Sequence, residues 1–321
     1  MPARAYRILS LDGGGIRGWM TVRLIERLGE EVPGWWRRAD LLAGTSTGGL
    51  IALGLAAALE PATLRHLYES AGPQVFHDTW MDNVRDLGRL VGAQYDERPL
   101  RRVLEKTFGD LRLRDLRCRV LVPAFDLDNE HPDPARRGWA PKFFHNFPGP
   151  DSDGERRVRD VALYTSVAPV HFPSADGYID GGVVANNPSM AALAQTQDGR
   201  SRQPRPALSR IVLLSIGTGG SPKFIPGRRL DWGLGQWSRP LLDILMEGGI
   251  GVPDYQCRRF LGERYHRLNP LLPPGLEIRM NDVVALPRLK DFAEQLDLAD
   301  TTTWLQTYWN DPSPPRRRPT A

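Results

Sequence analysis

Cysteine is scarce in this chain, with two residues, Cys118 and Cys257, among 321. They lie far apart and lack the paired spacing of a metal site or a redox motif, so a reducing cytosol is the expected setting. Lysine is nearly absent: Lys106, Lys142, Lys223 and Lys290 are the four among 42 cationic side chains, and the others are arginine. The 38 acidic residues hold the formal charge to +4, and no basic stripe is visible, so no specific nucleic-acid binding is expected. Guanidinium forks do match phosphate geometry, which leaves nonspecific attraction to anionic lipid. Long apolar runs are missing too. The longest, Leu50 to Leu59, covers ten residues, half of the roughly 20 that cross a bilayer. It reads as a buried helix, and membrane contact is expected to be peripheral. Met1 to Tyr6 leads into a strand without the apolar core of a signal peptide, so export by that route is not expected. No His, Asp and Glu cluster has metal-ligand spacing, and no metal or cofactor is expected.

What is present is ordinary globular composition, 41% apolar and 25% charged, which excludes global disorder. One large domain is expected over residues 1–310, with a motif-bearing core over about 5–220 and a helical C-terminal part over about 238–310. Beyond Asp311 the chain reads Pro-Ser-Pro-Pro-Arg-Arg-Arg-Pro-Thr-Ala, too poor in apolar residues to offset the entropy of ordering, so 311–321 is expected to be a disordered basic tail. Strands are predicted at Tyr6–Leu11, Asp40–Ala43, Cys118–Phe125, Lys142–Phe147 and Ile211–Ile216. Helices are predicted at Thr21–Glu31, at Leu50–Leu59, from Pro61 to a stop at Gly72, at Arg98–Phe108, Val158–Ser166, Pro240–Met246, Pro253–Leu261 and Pro287–Leu298. Strands alternating with helices predict an α/β fold with a mostly parallel, covered sheet.

The chemistry concentrates at two turns. Gly44-Thr45-Ser46-Thr47-Gly48 between a strand and a helix has the form of a nucleophile elbow, in which small flanking residues permit a strained turn that exposes the hydroxyl at a helix N-terminus. The same spacing also arises by chance in loops. Of six histidines, only His266 lies late enough to act as the base of a Ser-Asp-His order, and an ordinary strand or surface histidine is the plainer reading. Asp180, delivered by Tyr178-Ile179 to Gly181-Gly182, is the better candidate base, because α/β sites collect polar groups at strand ends. Its plain alternative is a structural turn aspartate. Asn186-Asn187-Pro188 reads as a helix cap without a catalytic role.

Asp12-Gly13-Gly14-Gly15-Ile16-Arg17-Gly18, Gly44-Thr45-Ser46-Thr47-Gly48-Gly49 and Asp180-Gly181-Gly182, in that order, resemble the patatin-like phospholipases. Ser166-Val167-Ala168-Pro169 with Phe172-Pro173, and Val183 to Pro188, are similar to that family as well. The resemblance spans about Arg7 to Pro188; beyond about residue 220 no diagnostic motif is found. It implies a three-layer patatin-like fold, with a mostly parallel central sheet and helices on both faces. It also implies a Ser46-Asp180 dyad that cleaves lipid esters through an acyl enzyme, without histidine and without metal. An aspartate with an ordinary pKa of about 3.9 is a weak base at neutral pH, so its site must raise that value. Gly13, Gly14 and Gly15 fit an oxyanion hole, since glycines let backbone N–H groups approach one point. Gly44, Gly48 and Gly181 are supporting residues, and Arg17 either holds the turn or contacts a lipid phosphate. The opening Arg7 to Asp12 is similar to bacterial patatin-like phospholipases of antiphage systems, which implies a cyclic-nucleotide activator.

Two rival readings come from the same residues. Gly13-x-Gly15-x-x-Gly18 after a strand also fits a dinucleotide fingerprint, but the acidic residue that should end the second strand is missing, since Asp40 precedes it. A phosphate loop of the Walker kind fails because no Gly-Lys-Ser/Thr follows. The other rival is a non-catalytic patatin-fold scaffold bound to membranes through tryptophans such as Trp35, Trp36, Trp80, Trp232 or Trp237, each more often a core residue.

Overall fold

Short buried stretches rich in Leu, Ile and Val alternate with helical segments, and the computed structural model describes residues 4–75, 93–276 and 278–310. In chain order these are β1 (Tyr6–Leu11), α1 (Gly18–Glu31), β2 (Leu41–Gly44), α2 (Thr47–Ala56), α3 (Pro61–Val75), α4 (Arg98–Phe108), β3 (Arg119–Asp126), β4 (Ala140–His145) and α5 (Val158–Ser166). There follow β5 (Tyr178–Asp180), α6 (Gly182–Ala185), α7 (Ser189–Thr196), β6 (Ile211–Ile216), α8 (Leu234–Glu247), α9 (Gly251–Leu261), β7 (Tyr265–Leu268), α10 (Leu286–Gln295) and α11 (Ala299–Trp304). The basic tail and Trp80 lie outside the described residues.

The strands form one sheet in the order β4-β3-β2-β1-β6-β7. The pairs β3-β2, β2-β1, β1-β6 and β6-β7 are parallel, and β4 and β5 run antiparallel to β3. Because successive strand side chains point to opposite faces, the core divides in two. Leu9, Leu42, Val120, Val122 and Leu214 pack with α1, α2 and α5. Ile8, Leu41, Leu121 and Leu213 pack on the other face with Ala192 of α7 and Cys257 and Leu261 of α9. This is the expected three-layer α/β architecture, with central strands buried on both faces.

Register places the site. β2 pairs with β3 only through Leu121, while β4 accompanies β3 from Leu121 to Asp126. β5 pairs with β3 at Ala124 to Asp126, so it takes the edge that β2 has vacated. Asp180, opposite Ala124, therefore lies just beyond the end of β2, where the chain turns through Ser46.

Several expected bounds need correction: the helix expected at Leu50–Leu59 is α2, Thr47–Ala56, the one expected from Thr21 begins at Gly18, and the strand expected at Lys142–Phe147 is β4, Ala140–His145. α3 does not stop at Gly72 but continues to Val75; a Cβ on Gly72 would stand 3.1 Å from Ile16, so this glycine serves close packing rather than termination. Pro240 lies inside α8, which starts earlier, at Leu234. The single helix expected at Pro287–Leu298 is two, α10 and α11, broken where Leu296 takes an extended conformation.

Candidate active site

Ser46 joins β2 to α2 with φ 53 and ψ −124, a conformation that costs a non-glycine residue about 1–3 kcal/mol. The turn is held from outside: the Ser46 N–H donates to Thr165 Oγ1 at 2.9 Å, and the Thr165 hydroxyl donates to the Pro123 carbonyl at 2.6 Å. Its flanking glycines are required sterically. A Cβ on Gly48 would lie 2.2 Å from the Leu11 carbonyl oxygen, and one on Gly44 would lie 2.1 Å from that of Gly48. Larger residues would push α2 off the end of β1.

Asp180 is fully buried. Its N–H donates to Val167 O at 3.0 Å, and its Oδ1 accepts the Gly182 N–H at 2.7 Å. Oδ2 is buried without a hydrogen-bond partner of ordinary geometry, while Ser46 is the side chain whose hydroxyl acts on this carboxyl to favour its charged form. Burial outweighs both Ser46 and the Gly182 N–H, and pushes the carboxyl up to about 7. Gly181 lies against β3, where a Cβ would stand 2.3 Å from Pro123 O.

The glycine turn after β1 is pinned on several sides. Gly13 donates its N–H to Asn186 O at 3.1 Å and accepts the Thr218 hydroxyl at 3.0 Å. Ile16 donates to the Met280 carbonyl at 2.8 Å. The Gly13 amide expected as an oxyanion donor is thus already engaged. The Gly14 and Gly15 N–H groups have no acceptor among the described residues. Arg17 is buried, donates to Glu247 at 2.7 Å and reaches the Gly14 carbonyl at 3.4 Å, so it ties down the turn.

Ser46, Asp180 and Gly15 share one cleft, partly open to solvent. Its walls are mainly apolar, from Leu50, Leu64, Leu67, Val103, Leu104 and Phe108, and Ser166, Ala168 and Phe172 of the flanking motif also face it. His266 is not among the lining residues; it sits on β7, bonded to Thr301 at 2.8 Å and stacked on Trp304, and burial lowers its pKa. Trp35 is wholly buried, and Trp232 and Trp237 pack on each other edge to face.

Sequence reasoning missed four participants. Arg267 holds buried Asp12 through both carboxylate oxygens, and Met280 and Glu247 brace the glycine turn; all three come from the region without diagnostic motifs. Asn186, expected only to cap a helix, is the fourth. A Cβ on Gly13 would meet its Oδ1 at 2.1 Å and Ser46 Cβ at 3.2 Å, and both Asn186 amide atoms are buried without partners. Only its place beside the aspartate motif hinted at this.

A covered, mostly parallel sheet with a strained serine, a buried carboxyl and a glycine turn gathered beyond its strand ends defines the chain as an α/β protein with a hydrolase-like cleft. The patatin-like phospholipase model matches residues 9–193, and the chain belongs to that family of lipid hydrolases. It is 33% identical over 290 residues to the cGAMP-activated phospholipase of Pseudomonas aeruginosa, covering 88% of this chain and 83% of that one. The cGAMP-activated phospholipase of Vibrio cholerae is 34% identical over 259 residues, 72% of this chain and 71% of that one. Protein teg of Priestia megaterium is 29% identical over 332 residues, 95% and 99% of the two chains. Among the described residues no helix is long and apolar enough to cross a membrane.

Proposed function

We propose that the protein hydrolyses acyl esters of membrane phospholipids through Ser46 and Asp180. The observation that carries this reading is the buried carboxyl beside Ser46, with one oxygen lacking a partner and its pKa raised to about 7. Asp180 takes the Ser46 hydroxyl proton as Oγ attacks the ester carbonyl. The oxyanion is held by the Gly14 and Gly15 N–H groups, with the Asn186 amide beside them. Collapse breaks the ester bond, Asp180 returns the proton to the leaving alcohol or lysolipid, and the acyl group stays on Ser46. Water then attacks the acyl enzyme, giving its proton to Asp180; collapse breaks the bond to Ser46 Oγ, Asp180 returns the proton to that oxygen, and the fatty acid leaves. The apolar cleft wall fits an acyl chain, and Arg17, being buried and engaged, serves the turn rather than the headgroup.

Similarity to two phospholipases named as cGAMP-activated supports a second element: a cyclic nucleotide switches the activity on, in keeping with a role in antiphage defence. The test is hydrolysis of short p-nitrophenyl esters and of phospholipid vesicles by wild type, Ser46→Ala and Asp180→Asn, with and without a panel of cyclic di- and trinucleotides. Both variants lose turnover by at least about 1000-fold. Wild-type turnover in either removes that residue from the mechanism, and a panel that changes neither rate nor Tm removes the activator.

A further inference from the structure

Helix α8 is amphipathic, but its apolar stripe faces solvent instead of the core. At 100° per residue, Leu234, Leu241, Ile244 and Leu245 share one side of the helix, and they are between 44% and 82% exposed. Phe224, just before the helix, is 85% exposed. The inward side carries Met246, which is buried, and half-buried Glu247; Glu247 and the exposed Asp243 bind Lys223 at 2.7 and 3.2 Å. From Lys223, fixed at the C-terminal end of α8, the chain must run back alongside the helix to reach Leu234 at its start. That return segment carries Arg228 and Arg229, both exposed and without an ion pair among the described residues.

The inward side of α8 touches both halves of the site. A Cβ on Gly182 would stand 2.5 Å from Met246 Cε, and the Gly182 N–H is the one bonded to Asp180. Glu247 grips Arg17, which reaches the Gly14 carbonyl. One helix thus contacts the aspartate loop and the glycine turn on one side and presents Leu and Ile on the other, with Arg228 and Arg229 exposed in the segment that leads into its start.

We infer that α8 is the docking face for an anionic phospholipid surface, and that seating it there sets Asp180 and the glycine turn for catalysis. Apolar side chains flanked by unpaired arginines are the pattern of an interfacial helix, in which burial of the stripe and attraction to anionic headgroups add. A protein partner of the same shape would need acidic groups opposite Arg228 and Arg229, whereas an anionic bilayer offers them everywhere. The inference rests on the lipid-hydrolase reading for its substrate, but not for its binding step.

The test uses two variants of the full chain, Leu241→Gln/Ile244→Gln/Leu245→Gln and Arg228→Ser/Arg229→Ser, each also made in the Ser46→Ala background so that binding is read without turnover. Co-sedimentation is measured with vesicles of phosphatidylcholine alone and of phosphatidylcholine with phosphatidylglycerol. The triple variant is expected to bind anionic vesicles at least about tenfold more weakly, and the arginine variant to lose the preference for anionic over neutral vesicles. Vesicles should raise turnover of a soluble p-nitrophenyl ester by wild type and not by the triple variant, whose turnover without vesicles matches wild type. Undiminished vesicle binding by the triple variant overturns the inference. So does light scattering that shows wild type dimeric and the triple variant monomeric with neither bound to vesicles, because α8 would then be a contact between copies. An inactive wild type that still binds vesicles through α8 would instead count against the hydrolase reading alone.

Discussion

Arg17 and Glu247 form an ion pair at 2.7 Å although 230 positions separate them in sequence. Arg17 closes the glycine turn, and Glu247 ends α8 in the part of the chain without recognisable motifs. With Arg267 on Asp12 and Met280 on Ile16, the C-terminal third is part of the scaffold of the site and not an appendage to a self-sufficient motif-bearing core.

Breaking this pair should therefore cost both stability and rate. Arg17→Ala leaves Glu247 with Lys223 as its remaining partner, and is expected to lower unfolding stability by about 3 kcal/mol. Turnover should fall about 10- to 100-fold as the turn loosens. Denaturant unfolding and ester hydrolysis check both. Unchanged kcat in Arg17→Ala would show that the turn needs no brace.

The raised pKa of Asp180 predicts opposite pH trends for rate and stability. In its proposed role as base it must be ionised, so kcat/KM should rise with pH through about 7. In the unfolded chain the same carboxyl loses its proton near 4, so the native state binds more protons between about 4 and 7. Stability is then lost across that window as pH rises. Asp180→Asn removes this cost and should raise Tm at pH 8 by about 3 °C or more relative to wild type, with little difference at pH 4. A rate independent of pH from 5 to 9 would contradict the assignment.

Asn186 carries two buried amide atoms without partners, so its removal should cost little stability. Asn186→Ala is expected to keep Tm within a few degrees while kcat falls about 100-fold, as for loss of one oxyanion donor. A drop in Tm with unchanged kcat would assign the residue to packing alone.

Gly48→Ala drives a methyl group into the Leu11 backbone carbonyl and should destabilise the protein by several kcal/mol, of order 3 or more. Gly138→Ala, which meets nothing within 4 Å, should change stability by no more than about 0.5 kcal/mol. His266→Ala should keep wild-type turnover while losing stability with its Thr301 and Trp304 contacts.

Elements with local causes were legible in advance. β1, β2 and β6 are apolar runs ending in glycine turns, and the elbow at Ser46 and the strand leading to Asp180 carry their signals within a few residues. Arg98–Phe108 shows its apolar spacing and its terminal Gly109 directly. What was not legible depends on distant packing. Gly72 has the form of a helix stop, and only the neighbouring Ile16 explains why α3 passes through it. The Gly13 amide was expected to be available because the Asn186 carbonyl that occupies it lies more than 170 residues away. The pairing of Arg267 with Asp12 leaves no local pattern, and the outward apolar stripe of α8 is indistinguishable in sequence from an inward one.

The most direct measurement is peptide-mapped mass spectrometry of the folded protein after reaction with a fluorophosphonate, carried out at pH 8 on wild type, Ser46→Ala and Asp180→Asn. A single adduct on the peptide containing Ser46 is expected in wild type, none in Ser46→Ala, and much slower labelling in Asp180→Asn. An adduct on another residue, or full esterase activity in a protein that Ser46→Ala has left unlabelled, would contradict the account.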